Sequence, residues 1–143
     1  MRLAFDRDDA RQRIVGRFRL GPEFQGGGGF IHGGIIATVL DEVMSKATRF
    51  SVAERAVTAE LRVEYLKPIR VDEELCVEGF LTRREGRQLY HEGEIRNQAG
   101  VLLACGQGRF VVIEPRAANA TEAQAVEIQA KDTQATETRA KEN

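Results

Sequence analysis

Only one stretch of this chain has helical periodicity, and the stretches around it alternate. Over about 34–50, Ile36, Leu40, Val43, Met44 and Ala47 recur at the spacing of one helix face. Thr38, Asp41, Glu42, Ser45 and Arg49 make up a more polar side. A lone amphipathic helix has no second helix to cover its apolar stripe, so a sheet must cover it.

The alternating segments supply that sheet. Residues 14–20 read as a strand stopped by Gly21-Pro22. Val57, Ala59, Leu61, Val63 and Tyr65 alternate with Thr58, Glu60, Arg62 and Glu64 until the breaker Lys67-Pro68. Three more strands are predicted at about 73–84, 88–96 and 101–113, separated by the turn signals Glu85-Gly86-Arg87 and Asn97-Gln98-Ala99-Gly100. Such short connections favour antiparallel hairpins, so the order strand, helix, four strands describes an α+β domain over 1–114. The glycines at 26–29 read as too flexible for regular structure. Past Pro115 the chain turns to Ala, Thr, Glu, Gln and Lys, and 115–143 is expected to be a disordered or weakly helical low-complexity tail.

Composition narrows the partners. With 143 residues, 42% hydrophobic and 30% charged, the chain holds one ordinary core. Its formal charge of -1 and its few aromatics, not interleaved with Lys or Arg, argue against nucleic acid. Charges at Arg2, Asp6 and Arg7 stand where a signal peptide would be apolar, and no run approaches membrane-spanning length, so a cytoplasmic protein is expected. Cys76 and Cys105 sit singly in strands and read as buried free thiols. With only His32 and His91 beside them, no metal and no cofactor is implied.

The most informative segment is His32-Gly33-Gly34-Ile35-Ile36-Ala37-Thr38-Val39-Leu40-Asp41-Glu42. Two glycines at a helix start allow a ligand to approach the backbone, and free N–H groups backed by the helix dipole can stabilise an oxyanion formed at a carbonyl. No Gly-Lys-Ser/Thr ending follows, which argues against a P-loop. Asp41 adds a carboxylate able to activate water or to attack the carbonyl itself. It lies nine positions after His32, about 12 to 13 Å along the axis and about half a turn out of phase. If both ends serve one carbonyl, the helix start of one subunit must meet the acid of another, as a two-fold dimer would arrange. Glu42 has Lys46 at i+4 and reads as a solvated pair. His32 reads as an orienting residue, and His91 receives no role.

These residues resemble the hotdog-fold thioesterases, specifically the phenylacetic-acid-degradation-type branch of the 4-hydroxybenzoyl-CoA thioesterase superfamily. The likeness covers roughly 17–113. It rests on His32-Gly33-Gly34 with an acid nine positions later, on Gln25 and Gly26 ahead of it, and on the strand from Thr58 to Pro68. It implies an antiparallel sheet wrapped around the helix, subunits paired as dimers or as tetramers built from two dimers, and hydrolysis of acyl-CoA. By resemblance Asp41 is the catalytic acid, Gly34 binds the thioester oxygen through its N–H, and His32 orients the loop. Thr58 would help place the attacking water, and Gln25 and Gly33 would contact substrate. Two other readings compete: a non-catalytic acyl-CoA-binding or regulatory module on the same fold, and a hydratase, whose differently spaced His and acid are missing here.

Overall fold

The structure is a computed structural model in which residues 1, 3–52 and 54–113 are described. The expectations for 115–143 fall outside the described residues. In chain order the elements are β1 (Asp6–Asp8), β2 (Arg13–Phe18), a 3-10 turn (Pro22–Phe24), β3 (Gln25–Gly27), β4 (Phe30–Ile31), α1 (Gly33–Ser51), β5 (Ala56–Tyr65), β6 (Leu75–Glu85), β7 (Gln88–Asn97) and β8 (Leu102–Val112). Among the described residues, six strands form one antiparallel sheet in the order β1-β2-β6-β7-β8-β5, with α1 packed on one face. This is the hotdog architecture read from the sequence. Among the described residues no helix is long and apolar enough to cross a membrane.

The predicted helix face is the buried one. Ile36, Leu40, Val43, Met44 and Ala47 are buried, joined by Val39 and Thr48, and they meet Leu75, Val77, Leu89, Ile95 and Phe110 from the sheet. What lets the helix lie so close is a row of glycines, one per strand. Gly79 pairs with Gly93, which pairs with Gly106, across β6, β7 and β8. A Cβ on Gly79 would stand 2.8 Å from the Val43 carbonyl oxygen, and one on Gly93 would stand 3.2 Å from Leu40. A side chain at Gly79 would push against the helix backbone itself, and one at Gly93 would press on the side chains of Leu40, Val43 and Met44.

Three expectations need correction. β1 was missed, being three charged residues without an apolar face. The glycines at 26–29 do form regular structure: β3 and β4 pair, and Gly28 and Gly29 between them have φ of 61° and 82°. A two-residue hairpin turn of type I′ demands positive φ at both central positions, which glycine supplies without strain. Cys76 and Cys105 are free, but each is only half-buried, because strand alternation turns them away from the helix.

β5 also departs from its pattern. It lies at a sheet edge with β8 as its one sheet neighbour, and its apolar side is poorly covered: Leu61 is 36% exposed and Tyr65 53%. The ladder shifts between Thr58 and Glu60, so Ala59 is the extra residue of a β-bulge. Thr58 stands opposite Phe110, Leu61 opposite Gly108, Val63 opposite Gly106 and Tyr65 opposite Ala104. Directly opposed residues share a face, so the bulge moves Thr58 onto the helix side, away from the outward set with which alternation had grouped it.

Candidate functional site

Two places on α1 hold the residues singled out by the sequence. The first is its start. His32 is the N-cap, and its Nδ1 accepts a hydrogen bond from the Gly34 N–H at 2.9 Å. With Nδ1 an acceptor, a neutral ring carries its proton on Nε2. The His32 carbonyl accepts from both Ile35 N–H (3.0 Å) and Ile36 N–H (3.2 Å). Of the first four N–H groups in the helix, that leaves only the one on Gly33 without a partner among the described residues.

The Gly34 N–H, expected to meet the thioester oxygen, is engaged by the His32 cap in this structure, and the Gly33 N–H is the open one among the described residues. The segment before the helix is also firmly placed. His32 N–H donates to the Phe24 carbonyl at 2.9 Å, and Ile31 N–H donates to the Ile69 carbonyl at 2.8 Å. The β3–β4 ladder sets Gln25 opposite Ile31, and Gly26 packs on His32 so closely that a Cβ there would be 3.2 Å from the His32 Cα. Gln25, Gly33, Gly34 and His32 therefore do gather at one place. At the far end of β5, the Tyr65 hydroxyl donates to the Gly33 carbonyl at 2.9 Å.

The second place is the middle of α1. Asp41 is half-buried, and the Thr58 hydroxyl donates to its Oδ1 at 2.9 Å. One carboxylate oxygen is thereby oriented, while Oδ2 has no partner among the described residues. Thr58 thus meets Asp41 within the chain, through the bulge described above. Glu42 takes the expected solvent-facing pairing with Lys46, at 3.7 Å.

The two places stay apart. From Gly33 to Asp41 the helix rises about 12 Å, so one carbonyl cannot touch both within one chain. β5 runs past both of them, with Thr58 near its start and Tyr65 at its end.

His91, given no role, is a core residue at 1% exposure. Its Nε2 is 3.1 Å from the Thr48 hydroxyl, and the Phe110 ring lies edge-on with centroids 5.0 Å apart. Burial pushes its pKa down to about 4, with the Leu89 backbone pulling the other way to a smaller extent. Sequence reasoning also missed Tyr65, grouped only as an apolar strand residue; its place just before Leu66-Lys67-Pro68 marks a strand end but says nothing of the bond it makes.

Comparison with known proteins addresses the family and the fold. The thioesterase superfamily model matches residues 28–104. The acyl-coenzyme A thioesterase THEM4 of Xenopus laevis is 31% identical over 94 residues, covering 66% of this chain and 42% of that protein. A solved thioesterase superfamily protein superposes with a TM-score of 0.72 at 28% identity, covering 76% of this chain and 55% of that one. A Streptococcus pneumoniae hypothetical thioesterase solved with coenzyme A shares the fold, with a TM-score of 0.72 at 20% identity, covering 81% of this chain and 92% of that one. The chain spans less than half the length of the THEM4 proteins it matches. With the family model covering more than half of its residues, the chain belongs to the thioesterase superfamily.

Proposed function

We propose that the protein hydrolyses acyl-CoA thioesters to a free acid and CoA, at a site completed by two copies of the chain. One observation carries the reading. An exposed edge strand has an oriented carboxylate, Asp41 held by Thr58, beside one end and an open helix-start donor, Gly33, beside the other. A two-fold axis near Leu61 and Arg62, pairing β5 antiparallel with its copy, brings Thr58 close to the partner's Tyr65. Asp41 of one copy then faces the helix start of the other, and the exposed Leu61 and Tyr65 are covered. Two such sites form per dimer, and two dimers can associate into a tetramer.

In this site the thioester oxygen accepts from the Gly33 N–H at the positive end of the helix dipole. Asp41 Oδ2 takes a proton from water as the water oxygen bonds to the carbonyl carbon. The electron pair moves onto the thioester oxygen, returns, and expels CoA as a thiolate, which then picks up a proton. The alternative for Asp41 is direct attack, giving an acyl-aspartate that water cleaves. A single turnover in ¹⁸O-water that leaves label in Asp41 establishes direct attack, since a general base keeps both of its own oxygens. The Nε2–H of His32 serves as a second donor to the substrate, and Gln25 lies beside it on the approach.

The acyl-CoA substrate is supported by the name of the THEM4 relatives, and the phenylacetic-acid-degradation-type branch by the spacing from His32 to Asp41. The test is thiol release from a panel of acyl-CoA esters by the assembled protein and by Asp41→Asn. A loss of about 10² to 10⁴ in rate is expected for the variant with assembly unchanged. A wild-type protein that binds acyl-CoA and releases no thiol would instead be a binding module.

A further inference from the structure

The N-terminal turn of α1 begins with two glycines, the residues least able to hold a helix start in place. Yet a donor meant for an oxyanion must be fixed before substrate arrives, since orientation gained only on binding subtracts from catalysis. We infer that Tyr65 is a positioning residue for the Gly33 donor, an inference that rests on the proposed thioesterase reading.

The argument follows the peptide planes. The Gly33 carbonyl, which accepts from the Tyr65 hydroxyl, and the Gly34 N–H, which donates to His32 Nδ1, belong to the same peptide unit. That plane is therefore gripped at both ends, each bond 2.9 Å. The preceding unit carries the His32 carbonyl, held by two helix N–H groups, and the Gly33 N–H, held by nothing among the described residues. The two planes share the Gly33 Cα. With both restrained, the two torsions at Gly33 have little freedom, and the open N–H keeps one direction. The Tyr65 ring adds a wall on the same side: a Cβ on Gly33 would lie 3.4 Å from both its Cζ and its hydroxyl oxygen. Tyr65 reaches this point because it closes β5 on the helix-facing side.

Tyr65→Phe keeps the wall and removes the grip. In the assembled protein, kcat for a good acyl-CoA substrate should fall about 5- to 30-fold, the worth of one hydrogen bond expressed in the transition state. KM should stay within about twofold, since the substrate ground state is not what the bond serves. Oligomeric state and melting temperature should not change, and in ¹⁵N-glycine-labelled protein the Gly33 and Gly34 amide signals should move. An active wild type with unchanged kcat in Tyr65→Phe overturns the inference. So do stationary glycine signals, or a kcat loss that comes with disassembly. A wild type that releases no thiol counts against the thioesterase reading instead, and the glycine signals then decide whether Tyr65 holds the helix start.

Discussion

Acid should unfold this protein through His91 in a measurable way. The Thr48 hydroxyl donates its one proton to the Met44 carbonyl at 3.1 Å, so toward His91 it can only accept. The imidazole must then carry its proton on Nε2, and the neutral ring's Nδ1 accepts from no donor among the described residues. A second proton would put a charge in a buried site against the edge of the Phe110 ring, a cost that the Leu89 backbone offsets only in part. Because burial lowers the folded pKa from 6.5 to about 4, the unfolded chain binds the proton more readily. Stability is thus whole above pH 6.5, declines as pH falls through the interval down to 4, and levels off below it. At pH 4.5 linkage puts the loss on the order of 2 to 3 kcal/mol. The perturbation is His91→Leu, which leaves the Thr48 bond to Met44 intact and cannot titrate. Urea unfolding of both proteins at one protomer concentration, at pH 7.5 and pH 4.5, isolates the His91 share from the many carboxylates they have in common. Wild type should lose roughly 2 to 3 kcal/mol more than the variant between the two pH values. Equal losses would refute the reasoning.

Gly33→Pro should fold, because it occupies the first helical position and the preceding His32 is already extended at φ -62°, ψ 136°, as a residue before proline must be. It deletes the open N–H, and kcat should drop about 10²- to 10³-fold. If the site is shared between copies, mixing this variant with Asp41→Asn and allowing subunits to exchange restores about a quarter of the wild-type rate, since half the dimers are mixed and each has one intact site. No recovery despite demonstrated exchange would mean that each chain works alone. Gly79→Ala forces a methyl to 2.8 Å from a backbone oxygen of α1, and thermal denaturation should register about 3 kcal/mol of lost stability.

Much of this architecture was readable because period and burial coincide. The five apolar positions marked on the helix are all buried, and the strands from β5 onward start and stop within about two residues of their alternation limits. Pairing across distant residues was not readable. Gly79, Gly93 and Gly106 are ordinary single glycines until the register aligns them. Thr58 was marked through a resemblance, but a strict period of two sends it away from Asp41, and only the extra residue at Ala59 turns it back. Which of two adjacent glycines keeps its N–H open depends on where a histidine ring nitrogen lands, which spacing does not encode. Tyr65 was hidden for a similar reason, since an aromatic in a strand reads as packing until its hydroxyl has an acceptor.

The glycine row also bears on how such a protein can change its preferences. Where Gly79 meets the helix backbone the seat of α1 has no slack: a larger residue collides, and a smaller one does not exist. Substrate choice therefore cannot be retuned by raising or lowering the helix. It has to be rewritten around the rim, in side chains that flank Asp41, while the height of the carboxylate above the sheet stays constant from one variant to the next.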